Sequence, residues 1–342
     1  MKRTIIVAVF AVMLAAVFNA CKKGAGANIH ANGDHATLAG NANDVNKTDS
    51  FPWKFPQDFT LKGVETEQTV LSPAAFYTGA LQRGEDLSTA LLPIYNYTVQ
   101  RVGENTLTLS GMGEEIEVPQ ALAIALPKDE KAQNGDIVLT WWQSGQGLQR
   151  AIVVDDTNPL APKVCYLDLD YRDDGRGFAN SHANESLKPG SFKVLKSGEW
   201  TSGATVAVEQ NGEWKTAIIL NAKGDYLLLT DAQTRISAEQ KANCRLIPIE
   251  TNYEVGDEVF AKIGNSLQPA CKVAKIDKRV GRVKVEKNGH SFVLSMLEVV
   301  KNLERQQQYS KPKRTKQQAM PQKEIAPSHL TPLAPDTINM GQ

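Results

Sequence analysis

The clearest hydrophobic pattern in the chain runs from Gly203 to Ile219, G-A-T-V-A-V-E-Q-N-G-E-W-K-T-A-I-I. Val206 and Val208 alternate with small or polar neighbours, as the side chains of a half-buried strand do. Asn211-Gly212 predicts a two-residue hairpin, because both residues tolerate the positive φ angles of a type I′ turn. Trp214 then begins the returning strand. We expect this hairpin to open a small β-barrel and Trp214 to pack over that barrel.

Weaker copies of this hairpin recur along the chain. One copy begins at Gly135 with G-D-I-V-L-T-W-W, another at Gly256 with G-D-E-V-F-A-K-I, and a fainter one at Gly84. The longest interval between copies contains a segment rich in Gly, Asn and Ser, Asp173–Gly190, which we interpret as a long loop. Three of the copies end with a strand, a short polar or proline-bearing step of one helical turn, and a last short strand; the copy that begins at Gly135 ends less clearly, at Phe192–Leu195. Five short strands with one helical turn before the last predict an SH3-like barrel.

The predicted fold is therefore all-β, with tandem small SH3-like barrels after a flexible tether. The predicted ranges are 1–20 for a signal peptide, 21–50 for a lipidated N-terminus and tether, 51–128 for repeat one with an N-terminal extension, 129–197 for repeat two with the long loop, 198–250 for repeat three, 251–303 for repeat four, and 304–342 for a disordered tail that is basic and rich in Gln and Pro. The extension opens F-P-W-K-F-P at Phe51, a pattern that favours a segment laid across a barrel surface rather than a strand.

The N-terminal residues have the pattern of an export signal. The basic Met1-Lys2-Arg3 precedes an apolar run, Thr4–Phe18, that is shorter than the roughly 20 residues of a membrane-spanning helix. The run ends in Phe18-Asn19-Ala20-Cys21, which resembles the lipobox of bacterial lipoproteins. This resemblance implies that Cys21 is lipidated and that its acyl chains hold the protein to a membrane. The alternative is an ordinary secretory signal with a coincidental cysteine.

The segment 22–50 is rich in Gly, Ala and Asn and has almost no large apolar residue. Such a segment cannot bury enough surface to offset its ordering entropy, so it is predicted to be a flexible tether. Lys22 follows the cysteine, where the retention signal of enterobacterial inner-membrane lipoproteins would be Asp. The expected location is therefore the bacterial cell envelope, at the outer membrane.

Repeat two is similar to the Tudor and agenet branch of SH3-like barrels. The matching residues are Gly135, Asp136, Val138, Trp142, Arg150, Ala151 and Val153, with Tyr166 and Asp170-Tyr171 on the later strand. Tudor barrels often bind methylated lysine or arginine in an aromatic cage, which is a cation–π device. The resemblance implies that the candidate ligand-binding residues are Trp141, Trp142, Tyr166 and Tyr171. The alternative is that strand aromatics complete the core of a barrel this small.

The two adjacent tryptophans must point to opposite faces of one strand, since side chains alternate along a strand. If Trp141 or Trp142 faces outward near Tyr171, it forms a stacking platform for a sugar ring, a peptide aromatic or a cation. The alternative is that a neighbouring barrel covers it.

Charge and composition narrow the range of partners. The 342 residues contain 38 basic and 38 acidic side chains and are 42% apolar, so sizeable cores are expected and no nucleic-acid partner is predicted. The basic run Lys311–Lys316 in the tail suits contact with anionic lipid head groups or another polyanion, and a merely solubilising tail is the alternative.

Motifs for catalysis are absent from the sequence. It contains no C-x-x-C, H-E-x-x-H, G-x-S-x-G or phosphate loop, and neither a metal ion nor a cofactor is predicted. An acidic cluster around Asp168, Asp170, Asp173 and Asp174 has oxygen ligands of the kind that Ca²⁺ prefers but lacks a calcium-loop spacing, and a solvated strand edge is the alternative.

The cysteines after Cys21 are Cys165, Cys244 and Cys271, an odd number in a compartment that permits disulfides. Buried free thiols are the simpler interpretation, and Cys244–Cys271 is the one bridge to consider. Overall, the sequence predicts a membrane-anchored envelope lipoprotein that acts as a binding or scaffolding module, not an enzyme, with an envelope protein, peptide or glycan as ligand. An enzyme whose site is assembled from scattered residues, or a purely structural spacer, are the alternatives.

Overall fold

The structure is a computed structural model in which residues 51–180 and 184–303 are described. All of these residues belong to one compact body. The predicted signal peptide, Cys21, the tether and the C-terminal tail lie outside the described residues. In the part of the chain that the structure describes, no helix combines the length and apolar character needed to cross a membrane.

Each of the four repeats forms one five-stranded antiparallel sheet. In repeats one, three and four, the first four strands follow one another as a meander and the fifth strand pairs back on the first. This topology is that of a small SH3-like barrel, and the prediction of an all-β fold with tandem barrels is confirmed.

The strands of repeat one are β1 (Thr69–Ser72), β2 (Tyr95–Val102), β3 (Thr106–Gly111), β4 (Glu114–Pro119) and β5 (Ile124–Ala125), with the helix α1 (Ala74–Gln82) between β1 and β2. The strands of repeat two are β6 (Ile137–Trp141), β7 (Leu148–Asp155), β8 (Lys163–Tyr166), β11 (Asn184–Ser186) and β12 (Lys193–Leu195), with a small separate hairpin of β9 (Arg172–Asp173) and β10 (Phe178–Ala179).

The strands of repeat three are β13 (Thr205–Gln210), β14 (Glu213–Lys223), β15 (Tyr226–Asp231), β16 (Ile236–Gln240) and β17 (Cys244–Leu246). The strands of repeat four are β18 (Glu258–Ile263), β19 (Ser266–Asp277), β20 (Arg282–Lys287), β21 (His290–Ser295) and β22 (Val299–Val300). A single 3₁₀ turn precedes the last strand in three repeats, at Gln120–Leu122, Lys241–Asn243 and Met296–Glu298.

The hairpin predicted at Asn211-Gly212 is present between β13 and β14. Asn211 and Gly212 have φ angles of 55° and 79°, as a type I′ turn requires. Gln210 pairs with Glu213 directly across this turn, so the turn residues set the register of the hairpin.

The expected start of repeat one at Gly84 is wrong. Gly84 follows α1 with a φ angle of 67°, and its N–H donates to the carbonyl of Leu81. It therefore ends a helix, as a glycine in the left-handed conformation commonly does, rather than opening a strand. The first strand is β1, an apolar segment that pairs with both β2 and β5.

The segment Asp173–Gly190 is not only a loop. It contributes to the β9–β10 hairpin and contains β11, which pairs with β8 and forms one edge of the sheet of repeat two. Its Gly, Asn and Ser content obscured these short strands, since they carry few apolar side chains.

Trp214 is also placed differently from the expectation. Its half-buried ring packs between repeats three and four, against a cluster that contains Ala207, Ile247 and Leu267. Arg245 lies over the ring, 5.4 Å from its centroid. The side chain thus contributes to the interface between two barrels rather than to the core of its own.

The four barrels share one continuous hydrophobic core. Buried residues from each repeat belong to it, for example Tyr97, Leu139, Leu228 and Val285. Repeats that are not adjacent in sequence also make direct hydrogen bonds, and these link repeat one to repeat three and repeat two to repeat four.

Asn221 in repeat three and Arg282 in repeat four make these second-neighbour bonds. The Asn221 side-chain amide donates to the carbonyls of Ala121 and Ala123 in repeat one, at 2.8 and 2.9 Å. The Arg282 guanidinium donates to the carbonyls of Tyr166 and Leu167 in repeat two, at 2.7 and 2.8 Å. The barrels are therefore fixed relative to one another by buried polar contacts as well as by apolar packing.

The N-terminal extension lies across the barrels, as its sequence predicted. The Trp53 side chain is 7% exposed, and its Nε1–H donates to the carbonyl of Ile236 in repeat three at 2.8 Å. Its ring lies 6.2 Å from that of Tyr77 on α1. The extension therefore connects repeat one to repeat three.

The three cysteines within the described residues are free and buried. Cys244 and Cys271 do not form a bridge in this structure, so the interpretation as buried thiols agrees with it.

Candidate functional site

A groove of about 360 Å³ lies where the four repeats meet. We call it the central groove. It is lined by residues from every repeat, including Ile94 and Tyr95 from repeat one, Gln149 from repeat two, Thr216 from repeat three and Lys262 from repeat four. No single barrel contains this site, because it exists only through the packing of one barrel on another.

The floor of the central groove is a row of side chains on repeat three. Thr205, Ile218 and Thr230 lie directly opposite one another on β13, β14 and β15. Residues opposite each other in antiparallel strands point to the same face, so two hydroxyls flank one apolar side chain here. Thr216 lies two residues before Ile218 on β14 and therefore on the same face.

The segment just before β2 forms one wall of the central groove, and backbone hydrogen bonds hold this segment in place. The N–H of Leu92 donates to the carbonyl of Thr234 in repeat three at 2.9 Å. The N–H of Leu148 in repeat two donates to the carbonyl of Ile94 at 3.1 Å. These bonds hold repeats one, two and three at the edge of the groove.

An ion pair between Arg150 and Asp168 forms the wall contributed by repeat two. The Arg150 guanidinium donates to both Asp168 carboxylate oxygens and also to the hydroxyl of Thr205. Desolvation by burial would raise the pKa of Asp168, but the charge and hydrogen bonds of Arg150 outweigh it and hold that pKa below its usual range. Asp168 is thus a fixed carboxylate at neutral pH.

The other charged residues that line the central groove are also paired. Lys262 Nζ lies 2.8 Å from Glu298, and Arg235 lies 2.6 Å from Asp231. Glu298 also accepts hydrogen bonds from the backbone and side chain of Ser295. Among the described residues, every charged side chain that lines this groove therefore has a partner of opposite charge.

A second cleft of about 380 Å³ adjoins the central groove on repeat one. We call it the side cleft, and it is lined by Tyr97, Thr98 and Met112 among others. Tyr95 and Gln146 line both the central groove and the side cleft. The Tyr95 ring is half-buried and lies 5.3 Å from the ring of Phe76 at 55°. Tyr95 therefore lies at the junction of two open spaces.

The four aromatic residues predicted from the Tudor resemblance lie elsewhere, and none of them lines the central groove or the side cleft. Trp141 is 8% exposed and belongs to the continuous core. Tyr166 is fully buried, and Trp142 is half-buried against the core of its own barrel. Tyr171 is 7% exposed. The structure does not bring the four together in an open cage.

Both Tyr166 and Tyr171 are in contact with polar or charged groups of the same chain. The Tyr166 hydroxyl donates to Glu185 at 2.6 Å and accepts from the N–H of Gln143 at 3.1 Å. The Arg282 guanidinium lies 3.6 Å from the centroid of the Tyr171 ring. The cation that stacks on Tyr171 therefore comes from repeat four of the same chain.

The acidic cluster predicted around Asp168 is divided among different contacts. Asp168 pairs with Arg150, whereas Asp173 pairs with Lys275 and Lys284 of repeat four. Within residues 51–180 and 184–303, no group of three or more His, Cys, Asp or Glu side chains is arranged to hold a metal ion.

The sequence did not predict the central groove, although it drew attention to two of its residues, Arg150 and Asp168, for other reasons. Tyr95, Thr216 and Thr230 have the pattern of ordinary strand residues, and no motif near them in sequence indicates a binding site. Their proximity depends on contacts between repeats that no short motif encodes. Among the repeat-two residues of the family resemblance, Arg150 is the one that lines the groove.

Comparison with known proteins gives a likeness in fold only. No protein-family model matches the chain, and no curated protein matches it. Among solved structures, the crystal structure of AGD34 of Arabidopsis thaliana AGDP1 is 15% identical, covers 30% of this chain and 82% of its own, and has a TM-score of 0.20. The tandem Agenet domain 3-4 of ADCP1 is 17% identical, with 30% and 80% coverage and a TM-score of 0.19. A likeness at this level does not extend to ligand or function.

Proposed function

We propose that the protein is a lipid-anchored protein of the bacterial cell envelope that acts as a binding module, with its ligand held in the central groove. The observation that carries this proposal is the groove itself, which is built by all four repeats and has a polar wall fixed by the Arg150–Asp168 pair. Binding sites are commonly concave, largely preformed and lined by apolar side chains with a few fixed polar groups.

The residues of the groove favour binding over catalysis. The described residues that line it include threonines, glutamines and paired charges but no histidine or cysteine. The carboxylates and cations compensate each other, so none is poised as a general base or nucleophile. The four-barrel body therefore suits recognition, and an envelope enzyme is the less favoured alternative.

The envelope location rests on the sequence. The basic n-region, the apolar run and Phe18-Asn19-Ala20-Cys21 support export and lipidation of Cys21, and the tether at 22–50 would give the body reach from an outer-membrane anchor. Metabolic labelling with an alkyne fatty acid tests this part. We expect that Cys21→Ser abolishes labelling and cleavage before residue 21, and unchanged labelling in the variant would refute the anchor.

Site-specific photo-cross-linking in the native envelope tests the binding role. A diazirine amino acid at Thr216 in the groove should give a discrete adduct, and the same amino acid at Glu209, which is exposed on β13 outside the groove, is the matched control. An adduct that forms at Thr216 and not at Glu209 supports the proposal. Equal adducts at both positions, or none at Thr216, contradict it.

A further inference from the structure

We propose that the ligand of the central groove is an uncharged oligosaccharide that continues into the side cleft and stacks one sugar ring on Tyr95. This inference rests on the proposed binding function and specifies its ligand class. Four features of the described residues support it: compensated charge, a surplus of hydroxyl and amide groups, strands without free edges, and the position of Tyr95.

The charge balance of the groove favours a neutral ligand. Arg150 pairs with Asp168, and Lys262 pairs with Glu298, at 2.6 and 2.8 Å. A charged ligand would have to compete with these partners and would leave one of them desolvated without compensation. A sugar hydroxyl, by contrast, can donate to a carboxylate that remains ion-paired, because a carboxylate oxygen accepts more than one hydrogen bond.

The uncharged polar groups of the groove match a polyhydroxylated ligand. Thr216 and Thr230 present hydroxyls that both donate and accept. Gln146 and Gln149 also line the groove, and a glutamine side-chain amide both donates and accepts hydrogen bonds. The hydroxyls and amides of a ligand could therefore find both donors and acceptors along the groove without displacing an ion pair.

The strands of the floor disfavour an extended peptide. A peptide that binds by strand addition needs a free sheet edge with unpaired backbone groups. Ile218 in the middle of the floor pairs with Thr205 on one side and Thr230 on the other. Thr230 in turn pairs with Ile236 on its other side. Recognition here must therefore use side chains, as it does for saccharides.

Tyr95 occupies the position that a stacking residue requires. It lines both the central groove and the side cleft, and the Phe76 ring 5.3 Å away restrains its orientation. Its ring is half-buried, so part of it is open to a ligand. Because Tyr95 and Gln146 border both spaces, a ligand of more than one sugar unit can pass from one to the other.

Saturation-transfer NMR and calorimetry on the full-length protein in detergent test the inference. The probes are cellotriose, maltotriose and N,N′,N″-triacetylchitotriose, with trigalacturonate as an anionic sugar and a capped tetra-alanine peptide as the rival class. We expect at least one neutral trisaccharide to bind. Tyr95→Ala should weaken this binding about tenfold or more, whereas Tyr95→Phe should retain it.

Tyr226→Ala is the matched control, because Tyr226 is an exposed tyrosine on β15 that lines neither space. Its binding should equal that of the parent protein. Binding of no neutral trisaccharide, tighter binding of trigalacturonate, or binding that Tyr95→Ala leaves unchanged would each overturn the inference. If the peptide binds instead and Thr216 still gives its cross-link, the saccharide assignment fails while the binding function stands. If Thr216 gives no cross-link either, the proposed function fails as well.

Discussion

Arg150 and Asp168 form a two-point ion pair that also reaches a neighbouring barrel. The Arg150 Nε lies 3.0 Å from Asp168 Oδ2, and Nη2 lies 2.6 Å from Oδ1. The Nη1 group donates to Thr205 at the start of repeat three. The Arg150 side chain is 5% exposed, so the pair is largely removed from water. One ion pair thus supports both the wall of the central groove and the contact between repeats two and three.

Replacement of one member of this pair should be strongly destabilising. We expect Asp168→Asn to lower the free energy of unfolding by about 3–5 kcal/mol, because it leaves the Arg150 charge buried without its counterion. Urea denaturation measures the loss. The control is Glu117→Gln, which breaks the exposed pair with Arg101 and should cost less than about 1 kcal/mol. Similar losses in the two variants would contradict the prediction.

The position of Trp214 predicts that its replacement lowers stability by an intermediate amount. We expect Trp214→Ala to lower the free energy of unfolding by about 1–2 kcal/mol, because the half-buried ring packs at the interface of repeats three and four. The adjacent exposed Glu213 offers a control, and Glu213→Ala should change stability by no more than about 0.5 kcal/mol in the same urea titration. A loss above about 3 kcal/mol is typical of a core aromatic and would show that the ring is more deeply buried.

The contact of Asp173 with repeat four should make stability fall in acid. The side chain of Lys275, the N–H of Gly175 and the side chain of Lys284 lower the pKa of Asp173 to about 2. The pKa of an aspartate in the unfolded chain is about 3.9. The stabilisation that ionised Asp173 gives the folded state is therefore complete above about pH 4 and is lost as the pH falls to about 2.

Asp173→Asn isolates this effect. The variant should be less stable than the parent at about pH 6, and the difference should shrink as the pH approaches about 2. Urea midpoints measured across this range provide the check. The exposed Asp170 makes no ion pair among the described contacts, so Asp170→Asn is the control and should follow the parent. A constant difference between Asp173→Asn and the parent at all pH values would refute the assignment.

The buried thiols should be unreactive in the folded protein. Burial raises the pKa of Cys244 to about 12 and also raises the pKa values of Cys165 and Cys271. In a Cys21→Ser background, we expect no reaction with a disulfide reagent at about pH 8 in native buffer and reaction of all three thiols in concentrated urea. Reaction of any of them without denaturant would show that its barrel opens under native conditions.

Local features of the fold were predictable because they depend on residues close in sequence. Asn211-Gly212 sets a turn through its own backbone preferences, and the alternation of Val206 and Val208 identifies a strand without reference to other repeats. The same reasoning failed at Gly84, because a glycine with positive φ ends a helix as readily as it opens a strand. The helix α1 before Gly84 decides between the two, but its sequence has only a weak apolar periodicity and does not identify it as a helix.

The candidate site was not predictable for a different reason. Tyr95 and Thr216 lie in separate repeats and line one groove only because the barrels share a core. The alternation of residues along a strand predicts on which face of its own sheet a side chain lies. It does not predict which neighbouring barrel covers that face. Trp214 illustrates this, since it faces out of its own barrel and is half-covered by the next.

The bonds from Asn221 to repeat one and from Arg282 to repeat two have a consequence for how such a chain can evolve. In a linear array, each repeat contacts only its neighbours, so copies can be added or lost at either end with an additive effect on stability. Here, contacts also skip a repeat, so deletion of an end copy would remove partners of two others and deletion of an inner copy would remove partners of three. The four barrels therefore form a closed set, whose number cannot change by duplication or loss of a copy without rebuilding the whole.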